Sequence, residues 1–279
     1  VTAVEQLTPA CAHHAEGPIW DPSAGCLRWV DLFAGDILSL TSNGTVDRTH
    51  VGTVATAIRP RRDGGLVVGV ERGFLLLDSD GTAHALPELW ADPTVRMNDG
   101  ACDPQGRFYC GSMAYDNAPG RGTLFRLDHD RNTAAVLAGV TISNGLVWRS
   151  GGTEAVYVDS PTQRLDLLEF DPDTGTFGDR RPLVEIAAEL GMPDGIALDA
   201  DGAVWVALWA GGAVHRYLSS GSLDAVLEVP VRNVTACALA GSDLYITTSA
   251  VDDPDNPSAG AVFRASVGVA GAPIGAFAG

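Results

Sequence analysis

The apolar positions of this chain fall in short runs, alternating or continuous, each closed by a turn rich in Gly, Asp and Pro. The clearest instance is Met192-Pro193-Asp194-Gly195 and the residues after it, to position 207. An acidic residue opens a strand, Asp201-Gly202 supplies a tight turn, and an apolar strand returns. Gly tolerates the positive φ of such a turn, and Asp bonds the local backbone. This unit occurs six times, with returning strands beginning near Leu27, Leu66, Phe108, Ala155, Val204 and Leu244, 39 to 49 residues apart. A third strand follows each return, from Gly35, Gly73, Gly122, Arg164, Gly212 and Gly260. Helical periodicity is weak; its best stretch, residues 183–190, spans barely two turns.

A period of about 43 residues is that of a four-stranded propeller blade. The pattern therefore predicts an all-β chain, a six-bladed β-propeller with four-stranded blades. It forms one domain over residues 1–279, because a single blade cannot bury its own faces. An open ring leaves strand edges exposed. The N-terminal VTAVEQLT is expected to complete the blade built from the C-terminal strands, with the tail at residues 267–278 joining the same seam. Trp20, Trp29, Trp148 and Trp205 lie within strand patterns and are expected to pack between blades.

The first residues of the inner strands should ring one mouth of the central channel. That position reads Glu16, Thr56, Asp99, Asn144, Asp194 and Thr235, and every one carries a side-chain oxygen. Four of them precede Gly, which allows close backbone packing at a crowded axis. Two carboxylates about 5 Å apart at an effective dielectric of about 20 repel by roughly 3 kcal/mol. Glu16 and Asp194 in one mouth, with Asp99 near, call for a proton or a cation. Oxygen ligands without His or Cys suit Ca²⁺, Mg²⁺ or Mn²⁺, with Zn²⁺ as a further option.

Net charge changes the picture by exclusion. It stands at −17 over 279 residues, and all 18 basic residues are Arg. Such a surface repels phosphate backbones and anionic lipid, so no nucleic-acid or membrane partner is expected. The absence of Lys removes Schiff-base chemistry and the phosphate-loop lysine. No apolar run reaches the roughly 18 residues of a membrane helix, and the opening VTAVEQ does not read as a signal peptide. The five cysteines lack Cys-x-x-Cys spacing; Cys102, Cys110 and Cys237 read as buried thiols, while pairing of Cys11 with Cys26 stays open. A reducing, cytoplasmic setting is expected. His13 and His14, just before Glu16, are expected in a solvent-facing loop, and Arg59, Arg61 and Arg62 in a charged turn.

The segments EGPIWDP (residues 16–22), RMNDGACDPQGRFYCGSM (96–113), ISNGLVW (142–148) and MPDGIALDADGAVWVA (192–207) resemble those of the regucalcin/gluconolactonase family of sugar lactonases. The likeness runs in order over nearly the whole chain. It implies a six-bladed propeller that hydrolyses sugar lactones with one divalent metal ion on the axis. Carried over by residue, it places metal ligands at Glu16, Asn144 and Asp194, makes Asp194 the general base, and sets Arg96 and Asn98 against substrate. Here it differs by one residue from the repeat reading, which chose Asp99. The family's acidic substrate contact falls on a loop that is shorter here, where Asp116 or Arg121 takes its place.

The implied reaction is hydrolysis of an aldonolactone to the aldonic acid. Its cofactor is Ca²⁺ first, with Zn²⁺, Mn²⁺, Mg²⁺ or Fe²⁺ as alternatives, and its partner is a small sugar lactone. The chain is expected to act as a monomer or weak homo-oligomer. Two other readings stay open at this stage: an esterase or phosphotriesterase on the same propeller, and a non-catalytic calcium-binding propeller.

Overall fold

A computed structural model describes residues 3–279. Among the described residues, twenty-four strands form six four-stranded antiparallel sheets in a ring, a six-bladed β-propeller. The inner strands of blades 1 to 6 are Ala15–Asp21, Ala55–Pro60, Val95–Cys102, Ser143–Trp148, Met192–Leu198 and Val234–Ala240. The stretch with the best helical pattern is a strand as far as Glu185, then a single 3₁₀ turn at Ala188–Leu190.

The turns form as their chemistry dictates. After the inner strand of blade 5, the Asp199 carboxylate accepts the amides of Asp201 at 3.0 Å and Ala203 at 2.9 Å. Gly202 completes that turn at φ +81°, where a side chain is strained. Closure follows the expected seam: Val4–Gln6 pairs with Val262–Ser266, in the register Val4 to Ala265 and Gln6 to Phe263. Val1 and Thr2 of the predicted closing strand lie outside the described residues.

Six apolar clusters make up the core, one at each contact between neighbouring blades. Trp205 packs with Ile246 and Phe263 between blades 5 and 6, and Trp29 with Val262 across the seam. Tyr109, Trp148 and Phe170 fill the contact between blades 3 and 4, while Trp20 stacks on Tyr245. All five cysteines are free thiols.

The C-terminal tail departs from expectation. Its hydrogen bonds to blade 6 are made by Val267 and Gly268, whose amides reach Ser242 O. It then crosses the far face of the ring. Ala272 N donates to Leu198 O of blade 5, Phe277 N to Pro60 O of blade 2, and Ala278 N to Gly106 O of blade 3. The reason is apolar burial: the Phe277 ring is fully buried with Val67, Phe74, Cys102 and Phe108. The tail ties three blades together rather than sealing one. Phe277→Ala is expected to lower the unfolding free energy by about 3–5 kcal/mol, read by urea denaturation. A loss below about 1 kcal/mol would mean that the strap is dispensable.

Candidate active site

Every inner strand slips its register near the same mouth of the channel. Between the pairs Met97–Ser112 and Gly100–Cys110, the inner strand of blade 3 has Asn98 and Asp99 where its neighbour has one residue. The same irregularity leaves Asn144 and Gly145 unpaired in blade 4, and Asp194 and Gly195 in blade 5. In blade 1 it follows Glu16 directly, and in blades 2 and 6 it falls at Thr56 and Thr235. Such a bulge bends the strand and re-aims the extra side chain. Asn98, Asn144 and Asp194 thus occupy equivalent positions, whereas Asp99 is equivalent to Gly145 and Gly195. The repeat reading that put Asp99 in this position was off by one residue, because spacing alone does not reveal a bulge. Room at the axis is short: a Cβ on Gly145 would lie 2.7 Å from Ile196 Cγ1 and 2.9 Å from Asp194 O.

The structure brings Glu16, Arg96, Asn98, Asn144 and Asp194 to this mouth, each only 6 or 7% exposed. Asn98 sits at the hub. Its Nδ2 donates to Asn144 Oδ1 and Ser143 O, both at 2.9 Å, and its Oδ1 accepts from Arg96 Nη1 at 2.7 Å. Asn144 Nδ2 donates to Ser160 Oγ at 2.8 Å, and Ser160 Oγ donates to Pro193 O at 2.7 Å. Ser160 therefore fixes the Asn144 amide with its oxygen toward Asn98. Two polar atoms are left over: Asp194 Oδ1 and Arg96 Nε are buried without any hydrogen-bond partner.

Electrostatics here is unfavourable to charge. Burial, then the charge of Asp99, pushes Glu16 up to about 8, against the Gly17 amide and Arg96. Burial, then Glu16 and Asp99, raises Asp194 well above the ordinary carboxylate value. Arg96 is the one guanidinium that eases both acids, yet it forms no ion pair with either. Its Nη1 is taken by Met97 O and Asn98 Oδ1. Among the described residues no three His, Cys, Asp or Glu side chains gather as a cation site. A cation at this mouth is therefore a matter for two carboxylates and an amide oxygen, a hard donor set that the partnerless Asp194 Oδ1 fits.

An aromatic rim stands above these groups, and its members carry no sequence motif. Phe33 and Tyr115, 41% and 42% exposed, lie 5.3 and 5.7 Å from the Arg96 guanidinium. Tyr115 OH donates to Glu71 Oε1 at 2.8 Å. His14 is not in a solvent-facing loop as expected. It is 8% exposed, packed against Phe33 and Trp209, with Nδ1 2.7 Å from Ser249 Oγ. Burial, then Arg96 and His13, lowers it to about 3, so the ring is neutral, with Nε2 4.0 Å from Glu16 Oε1. Strand alternation from Glu16 could have placed it on the same face. Its partner Ser249, at the other end of the chain, could not be foreseen.

Asp116 stands apart from this cluster. It is exposed next to Tyr115, and its carboxylate accepts the Ala118 amide at 3.0 Å. Arg121 pairs with Asp92 at 2.6 Å.

The raised acids make a stability prediction for protein stripped of divalent ions. An acid whose pKa is higher folded than unfolded takes up a proton on folding, so stability falls as pH rises between the two values. For Glu16 that interval runs from 4.5 to about 8. His14 and His215, both lowered from 6.5, oppose this only at lower pH. In EDTA-treated protein the melting temperature is expected to fall between pH 7 and 8, with a shallower slope in Asp194→Asn. A wild-type profile that is flat or rising over this interval contradicts the assignment.

Comparison with known proteins gives one consistent answer. The model of the SMP-30/Gluconolactonase/LRE-like region matches residues 14–250. A pentonolactonase of Haloferax volcanii is 33% identical over 283 residues, covering 97% of this chain and 96% of that protein. A regucalcin of Oryctolagus cuniculus is 31% identical, covering 99% and 98%. The crystal structure of a calcium-binding protein, regucalcin, from Agrobacterium tumefaciens superposes with a TM-score of 0.91 at 27% identity, covering 99% and 97%. The chain belongs to the SMP-30/gluconolactonase/LRE-like family.

Proposed function

We propose that this chain is a lactonase that hydrolyses a sugar lactone to its aldonic acid at the mouth formed by Glu16, Arg96, Asn98, Asn144 and Asp194. The observation that carries this reading is the pair of buried, partnerless atoms, Asp194 Oδ1 and Arg96 Nε, an acceptor and a donor in one site. The attacking water answers the first, and an oxygen of a polyhydroxylated ring answers the second. The relatives named as lactonases point the same way.

Glu16, Asn144 and Asp194 would hold a hard divalent cation, Ca²⁺ before the other candidates, which would supply Lewis acidity toward a carbonyl oxygen. The remaining work belongs to side chains. Asp194 Oδ1 accepts the proton of the attacking water. Arg96, clamped between Phe33 and Tyr115, directs Nε at a ring oxygen or hydroxyl. Asn98 holds Arg96 and Asn144 in register, and Ser160 keeps the Asn144 oxygen turned toward the site. Asp116, on an exposed loop outside the cluster, would meet only an outer hydroxyl of the substrate. An ester or lactone with an apolar substituent is the second reading, favoured by exposed Phe33 and Tyr115 on the rim.

Asp194→Asn is expected to lower kcat by about 10²–10⁴-fold while leaving the circular dichroism spectrum unchanged. The assay is a pH-stat panel of aldonolactones and aryl esters, run before and after chelation. Activity on aldonolactones that is lost with EDTA and restored by CaCl₂ supports the reading. Full turnover by the Asn variant removes Asp194 from the mechanism, and preference for aryl esters selects the second reading. Arg96→Met is expected to reduce kcat/KM by about 10- to 100-fold, the range for a hydrogen bond to a charged group.

A further inference from the structure

The opposite mouth of the channel holds a cavity that the chemistry above does not use. It measures about 760 Å³ and lies between the ends of the inner strands and the crossing tail. That is within the roughly 300–1,000 Å³ of small-molecule sites. Ile19, Trp20, Leu146, Ile196, Leu239 and Pro273 give it an apolar wall. Tail residues 273–276 span it, anchored by Ala272 N on Leu198 O and Phe277 N on Pro60 O.

Cationic side chains outnumber acidic ones on its wall. Arg59, Arg62 and Arg149 line it, and Asp199 is the acidic residue on the wall. Asp199 is 1% exposed and already engaged by Arg216 at 2.7 Å and by Trp205 Nε1 at 3.1 Å. Arg149 pairs with Glu154 at 3.4 Å. Arg62 donates only to the carbonyls of Pro104 and Gln105, at 3.3 and 3.1 Å. Arg59 is half-buried, and its Nη1 donates to Ile58 O at 2.7 Å. No carboxylate among the described residues comes within ion-pair distance of it. Burial raises Asp99 and Cys102, and the charge of Arg59 opposes the rise at both.

A chain with a net charge of −17 thus keeps an unpaired guanidinium in an apolar cavity. Charge-assisted hydrogen bonds to guanidinium are strong where water is scarce. We propose that this cavity is a second binding site, for a small amphipathic monoanion whose apolar acyl or aryl body lies along the wall and whose acidic head meets Arg59. The site is independent of lactone hydrolysis and faces the other side of the ring.

The probe is 8-anilinonaphthalene-1-sulfonate, titrated by fluorescence against the full chain. One saturable site per chain is expected, weakened about tenfold or more in Arg59→Met, the loss of one charged hydrogen bond. Decanoate is expected to displace the probe at least about tenfold more effectively than decanol, a comparison that needs no variant. Gluconolactone with CaCl₂ is expected to leave the probe bound. Absence of a saturable site overturns the proposal, as does equal displacement by acid and alcohol, or unchanged affinity in a folded Arg59→Met protein. Displacement by the lactone puts the probe at the other mouth and likewise overturns it. Neither result bears on hydrolysis, which is assayed separately.

Discussion

Two carboxylates held close together out of water are the constraint around which this molecule is built. Glu16 and Asp194 come from blades 1 and 5; Glu16 raises the cost of ionising Asp194, and Asp99 raises that of both, beyond what burial imposes. The usual relief is a guanidinium swung across to pair with one of them. Here Arg96 is close enough to favour the charged forms but is held back by Met97 O, Asn98 Oδ1 and two flanking aromatic rings. The fold thereby keeps a donor and an acceptor unsatisfied at one mouth, at a cost of about 1–3 kcal/mol for each buried polar group. Strain of that kind persists where the surroundings over-determine it.

Those surroundings are the ring itself. The bulges set three equivalent side chains toward one mouth, and the glycines after Asn144 and Asp194 let neighbouring inner strands approach. With Ala236 Cα only 2.8 Å from a Cβ built on Gly195, the spacing leaves no slack for a side chain. Apolar clusters between every pair of blades fix the angles at which the strands arrive. The tail closes the account on the far side, since Phe277 fills the contact between blades 2 and 3. Position at the mouth is thus a consequence of packing some distance from it.

What the sequence makes legible follows from the range of each interaction. Turn chemistry, strand alternation and the repeat are local, so blade number, strand number and the closing seam could be read directly. Glu16, Asn144 and Asp194 were visible as oxygen-bearing residues at equal positions in the repeat, and the structure gathers them at one mouth. The bulge that separates Asn98 from Asp99 adds one residue to a register and leaves no compositional trace. His14 was misplaced because burial against Phe33, Trp209 and Ser249 depends on three distant segments. The tail was misplaced for the same reason, its one ring being buried against blades read long before it. Phe33 and Tyr115 lie just beyond strand ends, where no periodicity marks them, and Trp209 is the last residue of its strand.

The two mouths of the channel differ in sign, acidic and oxygen-rich at one, cationic and apolar at the other, and each follows from which residues the inner strands begin and end with. The account rests most heavily on the first. Anomalous diffraction from crystals soaked in CaCl₂ tests it directly. One peak is predicted, about 2.3–2.6 Å from oxygens of Glu16, Asn144 and Asp194, and absent from crystals of Asp194→Asn. A peak elsewhere in the chain, or none at this mouth at saturating calcium, would contradict the account.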